Sequence, residues 1–297
     1  MFELLLIKKT ANAASGKFAL FAGGSNTVLL SDKYYYSSDA SASGKALRSK
    51  KMDLAGTGNA DVGLFSGGSS GVTNGYTSHI EKYNYGSDTI ALTTNLSRVN
   101  YQHTAASKST VGCFFGGYDN ANYLGLAITD RYNYSDSSRV SGAALIQKRT
   151  LSCSIGTSEF AVIVGGSYSA TTTEKYNYDN NTRIASATLS PGSSRVASAS
   201  GVEVGIIAAG ISTSSRKYTF ASDVVVSGTQ LNIIRSYLAA TSNPEIGYFG
   251  GGYVGGSGYQ YSVEKYLFSN DTVSIGGNLV NYKSEHAATS TTPSWSS

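Results

Sequence analysis

The sequence predicts an all-β protein, a six-bladed β-propeller made of four-stranded antiparallel blades. Two observations predict this class: one unit occurs six times along the chain, and the composition suits strands rather than helices. The chain has 34 Gly and 22 Tyr, but only 14% of its residues are charged, which leaves little material for amphipathic helices. A single unit cannot bury its own faces, whereas six units stacked around an axis leave few exposed edges. We therefore expect residues 1–297 to form one domain, with residues 1–8 and 290–297 as candidate arms.

The first element of the unit is an apolar strand that ends in a pair of small residues, as in FALFAGG and VGLFSGG. The steps between successive pairs are 44, 49, 49, 44 and 41 residues. The first position accepts Ala209, but the second is always Gly, which predicts a positive φ or a close backbone approach there. A phosphate-binding loop is not expected, because no helical pattern follows the pair. The second glycines are Gly24, Gly68, Gly117, Gly166, Gly210 and Gly251.

The next element is a strand with two aromatic residues on one face, as in KYNY. The second aromatic is Phe220 or Phe268 in two copies, so we expect its hydroxyl to be dispensable and its ring to lie in the core. The first aromatic is always Tyr, which predicts a ring buried between blades with its hydroxyl bonded to a partner. The first tyrosines are Tyr34, Tyr83, Tyr132, Tyr176, Tyr218 and Tyr266.

Acidic and basic residues also recur. Five acids lie two positions before the first tyrosine: Asp32, Glu81, Asp130, Glu174 and Glu264. A basic residue precedes a small-residue strand in each unit: Arg48, Arg98, Arg149, Arg195, Arg235 and Lys283. We expect most of the acids to lie within about 4 Å of an arginine. Equivalent acids in a ring provide no privileged pair for glycoside hydrolysis.

The small-residue strand occurs once more than the ring needs. It precedes units two to six, and further copies occur at Lys283 to Ser290 and at Lys9 to Ser15. One terminal copy must therefore close the ring, and the other must lie outside it. We expect closure between the first and last blades, with a terminal segment left as an arm.

The loops between the glycine pair and the first tyrosine predict where ligands bind. These distances are 11, 16, 16, 11, 9 and 16 residues, so units two, three and six carry long loops. Rigid tyrosines among Ser, Asn and Gly suit an adaptable binding surface, although they also match the general composition of the chain. The candidate ligand-binding residues are Tyr76, His79, Tyr118, Asn120, Asn122, Tyr123, Tyr253, Tyr259 and Tyr261.

Other functional classes are not expected from this sequence. The net charge of +4 forms no basic stripe for nucleic acid, and the apolar run near the start is too short to span a membrane. The three histidines occupy non-equivalent places and suggest no catalytic arrangement, and Cys113 and Cys153 are expected to be free thiols. We therefore expect a protein without enzymatic activity, cofactor, metal site, nucleic-acid partner or membrane insertion, and with no visible export signal.

The order of the glycine pair and the later tyrosine resembles the kelch repeat, although the tryptophan usual in that repeat is missing from every unit. Units such as GYFGGG followed by VEKYLFSNDTVS are similar to the short kelch-like repeats of bacteriophage virion and tail-appendage proteins. This resemblance implies a virion or surface protein that binds a host protein or a cell-surface glycan. The alternative that it implies is a structural protein that docks on neighbouring virion subunits or assembles with its own copies.

Overall fold

A computed structural model confirms the all-β class and the six-bladed propeller. It describes residues 16–293 except 26–28, 73–74, 168–170, 191, 193, 209 and 211–214. Six antiparallel sheets, each with four blade strands, surround a central channel. No helix long and apolar enough to cross a membrane occurs in the described part of the chain. Within the same residues, no group of three or more His, Cys, Asp or Glu could hold a metal ion.

In each of the first three blades, four strands follow one another from the channel outwards. Blade 1 contains β27 (Ala287–Ser290), β1 (Phe18–Ala22), β2 (Ser31–Tyr35) and β3 (Ala40–Ser43). Blade 2 contains β4 (Ala55–Gly58), β5 (Val62–Ser66), β6 (Ile80–Asn84) and β7 (Thr89–Leu92). Blade 3 contains β8 (Thr104–Ser107), β9 (Val111–Phe115), β12 (Thr129–Asn133) and β13 (Arg139–Ser141), and its loop forms the small hairpin β10 (Tyr118–Asp119) and β11 (Leu124–Gly125).

The other three blades repeat this order. Blade 4 contains β14 (Cys153–Gly156), β15 (Phe160–Val164), β16 (Thr173–Asn177) and β17 (Arg183–Ala185). Blade 5 contains β18 (Ala197–Ser200), β19 (Val204–Ala208), β20 (Ser215–Thr219) and β21 (Val224–Gly228). Blade 6 contains β22 (Ala239–Ser242), β23 (Ile246–Gly250), β25 (Gly258–Leu267) and β26 (Thr272–Lys283), with β24 (Tyr253–Val254) paired to β25.

The C-terminal strand β27 closes the ring by pairing with β1 of blade 1. Ala22 lies opposite Ala287 and Ala19 opposite Ser290, and the Phe18 amide donates to Thr291 Oγ1 at 2.9 Å. Ser290 and Thr291 are therefore part of the closing contact, whereas residues 294–297 of the candidate arm at 290–297 lie outside the described residues. The other candidate arm, residues 1–8, and the N-terminal strand copy at residues 9–15 lie outside the described residues.

The glycine pair turns the chain sharply at the end of the second strand. In blade 1, φ is +75° at Gly23 and +111° at Gly24, and a Cβ on Gly24 would come within 2.6 Å of the Ser284 carbonyl oxygen. Positive φ also occurs at Gly68, Gly117, Gly166 and Gly210, whereas Ala209 lies outside the described residues. In blade 6 the pair is Gly251 and Gly252, because Gly250 is still within β23. The sequence assignment of that pair was thus one residue early.

The first tyrosines are fully buried in all six blades. The Tyr34 hydroxyl donates to Asp39 at 2.9 Å and that of Tyr266 donates to Asp271 at 2.9 Å, in each case five residues further along the chain. Tyr83, Tyr176 and Tyr218 bond in the same way to Asp88, Asn181 and Asp223, and Tyr132 bonds instead to Thr93 at 2.9 Å. Five of the six hydroxyls thus fix the turn between the third and fourth strands of their own blade.

The basic residue immediately before each first tyrosine joins its blade to the next one. Lys33 of blade 1 pairs with Asp88 of blade 2 at 2.9 Å, and Lys175 of blade 4 pairs with Asp223 of blade 5 at 2.6 Å. Lys217 and Lys265 pair in the same manner with Asp271 and Asp39. The same carboxylate therefore receives a tyrosine hydroxyl from its own blade and a lysine from its neighbour, a link that the sequence analysis did not anticipate.

The recurring acids are buried, and they bind the loops that enter each blade. Glu174 accepts hydrogen bonds from the amides of Ile146 and Gln147 and pairs with Arg149 at 2.9 Å. Glu264 pairs with Arg235 at 2.9 Å, and both side chains are fully buried.

The cation is a lysine in two other blades, where Lys51 lies 3.6 Å from Glu81 and Lys283 lies 4.0 Å from Asp32. Burial lowers the pKa of Lys51 to about 8, although Glu81 opposes this shift.

Three of the predicted basic residues lie elsewhere. In blades 2, 4 and 6 the cation that pairs with the acid lies 16 residues before the glycine pair, at Lys51, Arg149 and Arg235. The same position of blade 3 is Asn100, whose side chain donates to the Gly116 carbonyl oxygen at 2.8 Å. Arg48 contributes its backbone amide to Glu81, Arg98 pairs with Asp119 at 2.5 Å in a loop, and Arg195 lies at the channel mouth. Asp130 pairs instead with Arg139 at 3.3 Å.

Candidate binding surface

The three long loops lie on the face of the propeller that also carries the connections between blades. Each loop begins beside such a connection: Met52 bridges Ser69, Tyr101 bridges Tyr118, and Ser236 bridges Tyr253. Two kinds of loop thus form one face, and the candidate tyrosines lie on it.

The blade 3 loop is a hairpin that its own polar groups hold in shape. Asp119 accepts hydrogen bonds from the Ala121 amide at 3.0 Å and from Asn122 Nδ2 at 2.8 Å, and it pairs with Arg98 at 2.5 Å. Asn122 and Arg98 lower the pKa of Asp119, so the carboxylate stays ionised at neutral pH. The hairpin tip presents Tyr123, which is 73% exposed, from a backbone with φ of 53°.

Three tyrosines from blades 2 and 3 pack together beside this hairpin. The Tyr76 ring stacks on Tyr101 with a centroid distance of 4.6 Å, and Tyr101 meets Tyr118 edge to face at 5.5 Å. The Tyr101 hydroxyl lies 3.5 Å from the Asn120 side-chain oxygen. We call Tyr76, Tyr101, Tyr118, Asn120, Asn122 and Tyr123 the blade 2–3 surface. It combines fixed aromatic rings with amide groups, the combination typical of binding surfaces.

The backbone of His79 forms hydrogen bonds within blade 2 and its loop. Its carbonyl oxygen accepts a hydrogen bond from the buried Lys51 Nζ at 2.9 Å, and its amide donates to Thr77 Oγ1 at 3.0 Å. The residue is half-buried at the base of the blade 2 loop. Its position thus helps to fix the loop to the blade.

The blade 6 loop carries a second and separate aromatic cluster. Tyr253 and Tyr259 meet edge to face at 5.7 Å across the short β24 and β25 pairing, and Tyr261 contacts Tyr282 at 4.5 Å. Tyr253 and Tyr259 are 41% and 39% exposed. No ring contact among the described residues joins this cluster to the blade 2–3 surface, so the candidate residues form two sites rather than one.

Sequence reasoning missed Tyr101, a member of the blade 2–3 surface, and Asp119, which holds the hairpin of that surface in shape. Tyr101 lies in a connection between blades, outside the long loops, and only the fold brings it between Tyr76 and Tyr118. Asp119 was not among the candidate residues. The stretch YDNANY at residues 118–123 was the available signal for a fixed turn, since an Asp side chain commonly accepts a hydrogen bond from the backbone amide two residues later.

Comparison with known proteins identifies the fold and no family. No protein-family model matches the chain, and neither does any curated protein sequence. Among solved structures 571 chains match, so the architecture is shared too widely to indicate one activity. One of them, titled "Structure of YjhT", aligns with a TM-score of 0.65 at 10% sequence identity, covering 80% of this chain and 87% of that chain. This likeness shows the six-bladed propeller fold alone.

Proposed function

We propose that the protein is a non-enzymatic binding propeller that captures a cell-surface glycan or protein through the blade 2–3 surface. The observation that carries this proposal is the exposed Tyr123 ring on a hairpin that Asp119 holds in shape. A hairpin backbone that is already fixed loses little conformational entropy when a ligand covers the Tyr123 ring. The kelch-like repeats and their similarity to bacteriophage proteins support a place on a virion or tail appendage that contacts a host.

The chemistry of the surface supports binding rather than catalysis. Its side chains are phenols and amides, and the carboxylate that holds its hairpin, Asp119, is already paired with Arg98. Acid and base catalysis would require a group free to exchange a proton with a substrate. Aromatic rings and amides instead provide flat contact area and hydrogen bonds, which suit a sugar ring or an extended peptide.

Replacement of one exposed ring on each loop tests this proposal. We expect Tyr123→Ala to weaken binding to immobilised glycans or to intact cells about tenfold, a loss typical of a central aromatic contact. Tyr259→Ala, which removes an exposed ring from the blade 6 cluster, is the matched control and should bind normally. Equal binding by wild type and Tyr123→Ala, with both variants melting normally, would contradict the proposal.

A second candidate function is structural, in which the propeller docks on virion subunits or on its own copies. The outer strands favour it, because five of them expose a large aliphatic side chain: Leu92, Val140, Ile184, Val226 and Ile275. Exposed aliphatic residues on edge strands are suited to pairing with another chain. Light scattering separates the two functions. A structural protein should assemble in solution, and Val140→Lys and Ile184→Lys should abolish this assembly, whereas a binding propeller should not assemble in this way.

A further inference from the structure

Six equivalent residues form a belt around the mouth of the central channel. Each lies two positions before an innermost strand: Asp53, Gln102, Leu151, Arg195, Tyr237 and Glu285. Their backbones are linked from blade to blade. The Asp53 amide donates to the Glu285 carbonyl at 2.8 Å, the Gln102 amide to the Asp53 carbonyl at 2.8 Å, and the Glu285 amide to the Tyr237 carbonyl at 2.8 Å. Leu151 and Arg195 continue the same pattern.

The backbone of the belt is strained at every position. All six residues have φ between 54° and 57°, although none of them is glycine. A non-glycine residue in this region costs about 1 kcal/mol or more, and such residues concentrate at binding and catalytic sites. The linked amides stabilise the strained backbone, and this backbone fixes the direction of each side chain at the channel mouth.

The belt side chains do not follow the repeat. The first tyrosines and the glycine pairs recur because every blade packs in the same way, whereas the belt carries six different residues. All six line the same cavity of about 160 Å³. A cavity of roughly 150 Å³ admits a molecule the size of benzene. The belt thus combines the room for a small ligand with chemistry that blade packing does not require.

Opposite charges face each other across this cavity. Asp53 and Glu285 are neighbours in the belt, while Arg195 lies three blades from Asp53. The described residues include no salt bridge between Arg195 and either acid. Gln102 Nε2 holds the Asp53 carboxylate at 3.2 Å, and the Arg195 guanidinium lies 5.2 Å from the Tyr237 ring centroid.

The two acids lack full compensation. Burial, followed by the nearby charge of Asp53, raises the pKa of Glu285 to about 7, and burial also raises the pKa of Asp53. A cationic group placed between the two carboxylates would relieve this repulsion. Arg195 leaves an anion-binding group on the other side of the channel.

We propose that the belt binds a small zwitterion, with an ammonium group between Asp53 and Glu285 and a carboxylate on Arg195. The ammonium group supplies hydrogen-bond donors to the acids, and the guanidinium supplies a forked donor to the carboxylate. This site is distinct from the blade 2–3 surface, so it goes beyond the proposed function and does not depend on it.

Three probes of equal chain length test the inference: γ-aminobutyrate, butylamine and butyrate. We expect γ-aminobutyrate to bind the full chain in calorimetry and to raise its melting temperature, because a ligand that binds only the native state stabilises it. Butylamine and butyrate, which each satisfy one half of the site, should bind at least about tenfold more weakly. Equal binding of butylamine and γ-aminobutyrate, or no binding of any probe, would overturn the proposal.

Variants locate the site. Asp53→Asn and Arg195→Gln should each weaken γ-aminobutyrate at least about tenfold, while Leu151→Met, an uncharged change in the same belt, should leave binding intact. Because Arg195 is exposed, its variant should melt like the wild type and keep the test valid if Asp53→Asn fails to fold. Normal binding by a folded Arg195→Gln variant would show that the ligand lies elsewhere.

Discussion

At the scale of single residues, the two aromatic residues of each KYNY-type strand have different roles. The first ring is buried and its hydroxyl bonds to the turn, as Tyr266 does to Asp271 at 2.9 Å. The second ring is core in character, and the buried Tyr178 hydroxyl finds no partner among the described residues. The presence of Phe220 and Phe268 at this second position agrees with that difference.

Tyrosine-to-phenylalanine changes should separate these two tasks. We expect Tyr266→Phe to lower the free energy of unfolding by about 1 kcal/mol, because Asp271 loses a hydrogen-bond donor. Tyr178→Phe, the control, should change it by less than about 0.5 kcal/mol or stabilise the protein slightly. Urea unfolding measures both values, and an equal cost for the two variants would show that the hydroxyl to the turn has no special role.

At the scale of the elements, two ionic links of different burial join the pieces of the propeller. Glu174 and Arg149 are both nearly inaccessible to water and tie a loop to its blade. Asp223 and Lys175 are partly exposed and tie blade 5 to blade 4. Removing one partner of a buried pair leaves an uncompensated charge, while an exposed pair is screened by solvent.

Acid-to-amide substitutions should therefore differ sharply in cost. We expect Glu174→Gln to destabilise the protein by about 3 kcal/mol, since Arg149 would remain buried without its counter-ion. Asp223→Asn should cost less than about 1 kcal/mol, and blade 4 already carries Asn181 at the equivalent turn position. Denaturant midpoints at equal slopes provide the comparison, and similar losses would argue against burial as the cause.

The sequence predicts these elements better than the contacts between them. The glycine pairs and first tyrosines can be recognised from the sequence alone, because one backbone geometry and one packing site recur in every blade. The basic partners were assigned wrongly at Arg48, Arg98 and Arg195. The position 16 residues before the glycine pair is an arginine in some blades, but it is Lys51 in blade 2 and Asn100 in blade 3, so a search for arginine alone does not find it. Tyr101 and the belt were missed because their neighbours come from other blades, and only the closed ring brings these residues together on one face of the propeller.

At the scale of the whole molecule, the ring depends on one strand from the far end of the chain. β27 supplies the innermost strand of blade 1, and the Phe18 amide bonds to Thr291 across a separation of 273 residues. The innermost strands pack side by side around the channel, with β27 between β4 and β22. Without β27, both the edge of β1 and the flanks of these neighbours would lose their partner.

A chain that ends at residue 286 should therefore fold poorly. We expect it to lack a cooperative melting transition and to aggregate, because β1 would present an unpaired apolar edge. A synthetic peptide of residues 285–293 should restore the transition in a concentration-dependent way, whereas a scrambled peptide should not. A truncated chain that melts like the full chain would show that the ring is stable while open.

The closure by β27 also sets a schedule during protein synthesis. The strand FALFA of β1 leaves the ribosome among the first of the described elements, and its partner leaves last. At typical synthesis rates of about 5–20 residues per second, the wait lasts on the order of tens of seconds. Blades 2 to 6 can form in this interval, but blade 1 cannot be completed. The nascent chain therefore carries the unpaired apolar edge of β1 until translation has passed residue 290. During this interval the edge can pair with strands of other chains.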